Sequence, residues 1–420
     1  MYPLEWIEKL KNGRPRVANG PVRFTVSPVV LSLGLTSLLT DVSSEMVNSL
    51  LPAYLVLHLH LSPLQYGVVD GLYNGFAIAL LSLAAGYLAD RASAHKWVAL
   101  AGYGLSGACK LLLLAVGTTY GWILLVIGLD RLGKGIRAAP RDALISLNSD
   151  PAVFANAFSV HRAMDACGSL LGPVVAFFLL AALPGAFDAV WVTSFVFAML
   201  GVAALWLFVP DAAPSPPQNA VASTAPRIAW STWRSRRFLV IAGSGALLAL
   251  TTISDGFVYL MLQEKSATAA GYFPLFYVMT AAAYMLLAIP AGRLADRTSR
   301  TAVFIGGYIV LVIMYLTLRN VEHAGPAMLI CCLTVLGLYY AATEGILMAL
   351  ASAAIPAERR TSGIAIVATG VGIGKLLSSI AFGALWQAIG LRSSILVFAA
   401  SMGIALIASL LLLRATDHET

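Results

Sequence analysis

Gly86-Tyr-Leu-Ala-Asp-Arg-Ala-Ser93 returns 206 residues later as Gly292-Arg-Leu-Ala-Asp-Arg-Thr-Ser299. The same offset lays Ala143-Leu-Ile-Ser146 on Ala349-Leu-Ala-Ser352. One register holding across two separate stretches predicts a chain of two homologous halves, repeated in parallel about an axis along the membrane normal. Between them, Pro210-Asp-Ala-Ala-Pro-Ser-Pro-Pro-Gln-Asn219 opens a polar stretch rich in Pro, Ser and Ala that reads as a flexible linker.

Composition sets the solvent for these halves. Of 420 residues 59% are hydrophobic and 11% charged, against roughly 45–50% and 25% in a soluble domain, so the surface is suited to lipid. A span needs about 20 apolar residues, and twelve such stretches occur near 28–57, 66–88, 96–118, 121–147, 154–183, 189–209, 238–262, 270–291, 301–318, 325–352, 361–388 and 391–413. The expected class is an all-α polytopic membrane protein of twelve helices in two pseudo-symmetric six-helix bundles. Its parts are an N-terminal segment 1–27, a bundle 28–209, a linker 210–236, a second bundle 237–414 and a tail 415–420.

Seventeen Lys and Arg residues fall in the N-terminal segment, the even-numbered loops and Arg414, whereas the opposite side carries Lys265, Arg319 and Arg392. The positive-inside rule then makes both termini cytoplasmic, in the inner (plasma) membrane. The same placement accounts for the net charge of +7 without a nucleic-acid partner. Charges at Glu5, Glu8, Lys9, Lys11, Arg14 and Arg16 interrupt the opening residues before any long apolar run, so the first span is expected to act as the insertion signal. Cys109, Cys167, Cys331 and Cys332 all sit in apolar runs and read as packing residues.

Seven basic residues lie inside the spans: Lys110, Arg131, Lys134, Arg137, Arg141, Arg162 and Lys375. Even on the lenient insertion scale a midplane charge facing lipid costs about 3 kcal/mol, so these side chains need a cavity or carboxylates. Helical geometry puts Asp130, Arg131, Lys134, Arg137 and Arg141 on one side of the fourth helix if Pro140 only kinks it. Arg137 and Arg141 could alternatively snorkel to the headgroups. On the first helix Asp41 and Glu45 share a face with Asn48 nearly in line, and carboxyls so close should differ in proton affinity. They could equally be fixed counter-ions to Arg131, Arg162 or Lys110. On the fifth, Asp165 is within one turn of His161 and Arg162. Asp255 and Glu344 stand alone in the seventh and tenth spans, and Asp70 is expected near the outer end of the second, in contact with solvent.

The loop copies resemble the major facilitator superfamily, whose loop between the second and third helices carries G-x-L-a-D-r-x-G-r-k. Gly86, Leu88, Asp90, Arg91 and Lys96 match in the first half, and Gly292, Leu294, Asp296, Arg297 and Arg300 in the second, with Ser93 and Ser299 where the family has its second glycine. The motif implies a gating loop in which the glycine lets helices approach and the aspartate meets a helix N-terminus or an arginine. Arg131-x3-Gly135-x3-Ala139 is similar to the family's fourth-helix pattern associated with proton coupling, and Gly168-x3-Gly172-Pro173-x2-Ala176 to the fifth-helix signature of its antiporters. Asp41-Val-Ser-Ser-Glu45 and Asp130 to Asp142 together look like a bacterial efflux-permease subgroup without a settled substrate, so the likeness carries transport but no cargo.

The resulting expectation is a monomeric secondary transporter, not an enzyme, exporting a small organic solute by proton-coupled antiport. Protons, the solute and the bilayer are its partners, and it needs no cofactor. The alternative is an organic anion or metal chelate drawn by the basic spans, and a remote one is a lipid-modifying enzyme built on His161 and Asp165. His58 and His60, two apart on a helix without a third ligand, do not make a metal site. There is no G-x4-G-K-[ST], G-x-S-x-G or H-E-x-x-H motif.

Overall fold

The computed structural model describes residues 27–75, 85–89, 94–149, 154–211, 235–355 and 360–417. Their regular structure is helical: α1 (Pro28–Asn48), α2 (Pro63–Gly75), α3 (His95–Ala115), α4 (Tyr120–Leu147), α5 (Phe154–Ala182), α6 (Phe187–Phe208), α7 (Arg236–Leu250), α8 (Asp255–Ser266), α9 (Phe273–Arg297), α10 (Arg300–Asn320), α11 (Pro326–Ala353), α12 (Arg360–Ile389) and α13 (Leu391–Asp417). Helices α7 and α8 make one crossing, so the chain forms a twelve-span membrane protein. Among the described residues nine crossings are long and apolar enough to be recognised by hydropathy alone. The other three are α1 with its acids, α2, and the charged α4.

Local chemistry explains where several helices begin. Ser27 caps α1 by accepting from the Val29 amide at 3.3 Å, and Pro28 supplies the fixed first turn. Ser299, standing where the loop motif has glycine, caps α10 by accepting from the Ala302 amide at 3.3 Å. Across the opposite side Arg392 meets Glu322 at 2.9 Å and holds that exposed carboxyl below the usual carboxylate range.

The two halves use the same packing plan. Helix α1 packs on α5 and α6, and α3 on α4 and α6; correspondingly α7 packs on α12 and α13, and α10 on α11 and α13. The seam between the halves is α2 against α12 together with α5 against α9, two pairs that a two-fold axis exchanges. Gly67, Gly71 and Gly75 let α2 lie on α12, where an added Cβ would come within 2.4 Å of the Ser379 carbonyl, 2.8 Å of Leu376 and 2.5 Å of the Leu376 Cβ respectively. The second pair meets near Leu180 and Gly271, with the Phe177 and Tyr272 rings 5.6 Å apart. These contacts lie at the end of the bundle away from the chain termini.

The first crossing of each half is interrupted, at adjoining and not identical positions of the repeat. α1 stops at Asn48 and resumes through Leu51–Ala53 into a wide π turn, Tyr54–His58. Helix α7 stops at Leu250, and α8 starts only at Asp255; moved back by the 206-residue repeat, that gap falls on 45–48, the turn just before the break in the first half. Backbone freed within a membrane must find other partners. The Ile253 amide donates to the Tyr315 hydroxyl at 3.0 Å, that hydroxyl donates to the Ile253 carbonyl at 3.3 Å, and Ser378 donates to the Thr252 carbonyl.

Gly168→Ala places a methyl 2.4 Å from the Leu38 carbonyl on α1 and is expected to cost about 1–3 kcal/mol, lowering the thermal midpoint in detergent. Gly104→Ala, with no described residue within 4 Å of the new methyl, should leave the midpoint unchanged or raise it slightly.

Candidate functional site

Lipid forces the ionisable residues of α4 to find partners inside the protein. Asp130 accepts from Ser106 Oγ at 2.6 Å and Lys110 Nζ at 2.7 Å on α3, and from Arg131 Nε and Nη2 at 3.1 and 2.5 Å. Lys110, Asp130 and Arg131 are each at most 4% exposed, so this is a buried network that only mutual pairing makes tolerable. The Arg131 guanidinium also stacks 3.6 Å from the Tyr73 ring centre on α2, and Arg137 lies 4.4 Å from that of Tyr103 on α3. Arg141 pairs with its neighbour Asp142 at 2.9 Å.

One turn along, Arg137 reaches across to Asp41 on α1 at 3.5 Å. Asp41 also lies within hydrogen-bonding reach of Asp165 on α5, and Asp165 accepts from Ser37 Oγ at 2.5 Å. Two carboxyls and an arginine from three helices thus meet at one point. Glycines bring the helices together: Gly168 abuts the Leu38 carbonyl of α1, and Gly172 the Val42 carbonyl and the Glu45 side chain. Pro173 lies inside α5 just past Gly172. Glu45 turns to Asn48, whose amide donates to it at 2.8 Å, so the carboxyl that meets Asp41 comes from α5 and not from the neighbouring turn. Lys134 faces Asp41 and Glu45 from between Arg131 and Arg137, without a hydrogen bond or an ion pair within 4 Å among the described residues. Arg162 is 65% exposed and only 3.9 Å from Asp165. His161 is buried, its Nε2 without a partner among the described residues.

A cavity of about 220 Å³ lies between the halves beside the broken crossings, lined by Asn48, Asp70 and Asn74 from one half and by Ser254, Asp255, Tyr340 and Lys375 from the other. Asp70 is not solvated at the outer end as its sequence position implied. It is 6% exposed and accepts from Ser379 Oγ of the other half at 2.7 Å, Asn74 Nδ2 at 3.0 Å and the Tyr66 hydroxyl at 3.2 Å. The four-residue spacing Tyr66, Asp70, Asn74 is a polar stripe on one helix face and was the available signal. Asp255, in the first turn of α8, takes the Tyr340 hydroxyl between its two oxygens at 2.7 Å each. Glu344, one turn beyond Tyr340, opens into two further chambers. The roles of Tyr73, Tyr340 and Ser379 were not legible as residue types, since aromatics and serines are common in spans.

The sequence profile described as the Major Facilitator Superfamily matches residues 33–282 and 256–420. The chain belongs to the Major Facilitator Superfamily. It is therefore a multi-pass membrane transporter and not an enzyme. It is 31% identical over 395 residues to an uncharacterized MFS-type transporter of Methanocaldococcus jannaschii, covering 92% of this chain and 95% of that one. An uncharacterized protein of Mycobacterium tuberculosis is 27% identical over 352 residues, 82% of this chain and 83% of the relative. Among solved structures, a mutant of the nucleoside transporter NupG superposes with a TM-score of 0.77 at 15% identity, over 91% of this chain and 99% of that one. A mutant of the peptide transporter POT gives 0.73 at 12%, over 93% and 95%. A bacterial homolog of the human lysosomal transporter Spinster, inward-facing and unoccupied, gives 0.67 at 13%, over 92% and 94%. At such identities the shared property is the fold.

The superfamily loop motifs are used unevenly. An added Cβ on Gly86 would stand 3.0 Å from the Ala139 Cβ, so here the glycine does bring the second and fourth crossings together. Gly292 has no described residue within 4 Å, so among the described residues no close approach requires glycine in the second copy. Asp296 pairs with Arg300 of α10 at 2.8 Å, both exposed, and Arg297 is exposed in the last turn of α9. Asp90 and Arg91 lie outside the described residues.

Asp130→Asn leaves Lys110 and Arg131 buried without their shared carboxylate and is expected to destabilise the protein by about 3–5 kcal/mol, read as a lower unfolding midpoint in detergent. Adding Lys110→Met should restore part of the loss. Equal midpoints for all three proteins would show that the network carries no such weight.

Proposed function

We propose that this transporter exchanges protons for a small organic solute, exporting the solute by alternating access through the cavity between its halves. The observation that carries the reading is the meeting of Asp41, Asp165 and Arg137 where α1, α4 and α5 converge. Two carboxyls in hydrogen-bonding reach repel when both are ionised, and a single proton held between them removes that repulsion. A nearby guanidinium competes with the proton as the neutralising charge. Movement of α4 relative to α1 and α5 would change which of the two neutralises the pair, and this ties protonation to the packing of the half. Because Gly168 and Gly172 press α5 directly on α1, a shift at the pair is passed to the whole helix.

Both termini are assigned to the cytoplasm, in the plasma membrane, by the basic loops. The closed seam at the opposite end then faces outward, sealing the central cavity from that side. One chain supplies both halves of the cavity, so a monomer is the working unit. Lys134, lacking a close carboxylate, favours a second reading in which the cargo is an organic anion or an anionic metal chelate, moved in either direction.

Proteoliposomes enclosing a pH indicator test the exchange. With a bound solute as cargo, an imposed pH gradient should drive its movement, and Asp41→Asn should slow that coupled flux by about 100-fold while solute exchange without a gradient persists. Flux indifferent to the gradient, or unchanged in Asp41→Asn, would overturn proton coupling. Retained coupling with lost binding in Lys134→Met would move the weight to the anion reading.

A further inference from the structure

We infer that the C-terminal half holds the cargo's recognition site, and that the cargo is a small aromatic zwitterion whose ammonium meets Glu344 and whose carboxylate meets Lys375. The inference rests on the reading of the central cavity as the solute route and names the class of solute. A chamber of about 410 Å³ adjoins that cavity, sharing Tyr340 and Lys375 with it; pockets for small organic ligands are typically about 300–1,000 Å³. Phe304, Tyr308, Tyr339 and Tyr340 wall it, and Glu344 and Lys375 are the ionic groups on its lining. A second chamber of about 290 Å³, also bounded by Tyr340 and Glu344, is lined by Tyr259, Tyr277 and Tyr284 and by Asp255.

Neither ionic group has an ion-pair partner within 4 Å among the described residues. Elsewhere in the spans Lys110, Arg131, Arg137 and Arg141 each have a carboxylate within that distance. Lys375 instead lies 5.9 Å from the Tyr340 ring centre. The opposite charge facing it is Asp255, whose two oxygens are both engaged by the Tyr340 hydroxyl. Glu344 sits nine residues, about 14 Å of helix, inside the Ala353 end of α11 and is exposed to the chambers. Within a membrane a carboxylate and an ammonium kept apart and unpaired are costly, and a ligand bearing the complementary charges removes both costs at once. The tyrosine walls then select a flat ring by stacking and edge contacts, and a cationic group beside Tyr340 adds attraction to the ring face.

Three probes with one ring system separate the elements: L-tryptophan, tryptamine and indole-3-propionate, titrated onto the purified full chain in detergent by calorimetry. Tryptophan is expected to bind about tenfold more tightly than either single-charge analogue, as one charge-assisted contact is worth. Glu344→Gln should remove its advantage over indole-3-propionate, and Lys375→Gln its advantage over tryptamine. Unliganded thermal midpoints matching the parent establish that both variants are folded; should either be unfolded, the three affinities on the parent protein decide alone. Equal affinity for the three probes, or binding of none, overturns the inference. Failure here with pH-driven solute flux intact would leave the exchange reading standing, whereas correct probe ranking without any pH-driven flux would remove coupling and keep the binding site.

Discussion

An ion taken into a membrane must be neutralised by its neighbours, and the N-terminal half is arranged around that constraint. Asp130 is the hub: it ties α3 to α4 through Lys110 and Ser106 and holds Arg131 against Tyr73 of α2. Three helices are thereby fixed relative to one another by charges that have no acceptable alternative partner in lipid. The same helix α4 then presents Arg137 to Asp41. The buried Asp130 network and the Arg137–Asp41 pair thus sit about two turns apart on a single helix.

The C-terminal half follows the same packing plan with different chemistry. Where the first half carries arginines and lysines, the second carries tyrosines, two carboxylates and Lys375. Both halves interrupt their first crossing within about one turn of the equivalent point, and the central cavity lies beside those breaks. Interrupted helices at matching positions of a repeat are where carriers place irregular backbone, because only a cavity or protein interior tolerates it. Ser379 and Asp70 join the halves at that level by a hydrogen bond, beside the glycine contacts of α2 on α12 and the Tyr66–Phe257 ring pair.

Much of this was legible beforehand because it is written in periodic or repeated form. Apolar length marked the crossings, and the repeated Gly-x-Leu-Ala-Asp-Arg loop marked the two halves. The charged face of α4 was visible from helical spacing, and so was the crowding of acids on α1. Partner choice was not legible. Spacing alone paired Asp41 with Glu45, but Asn48 takes Glu45 and Asp165 comes from another helix, a tertiary fact that no local pattern carries. Asp70 was misplaced for a related reason: its position near the end of an apolar run resembled an interface, whereas the facing α12 covers it. The loop glycines illustrate the converse, since one motif occurs twice and, among the described residues, only Gly86 meets a neighbouring helix.

The proposed exchange requires one proton to be shared between Asp41 and Asp165. Infrared difference spectra of the reconstituted protein across pH observe that proton through the carboxylic C=O stretch. A buried-carboxyl band that titrates in the parent protein and is missing in Asp41→Asn and in Asp165→Asn is the predicted result. A spectrum with no such band at any pH, or one untouched by either substitution, would contradict it.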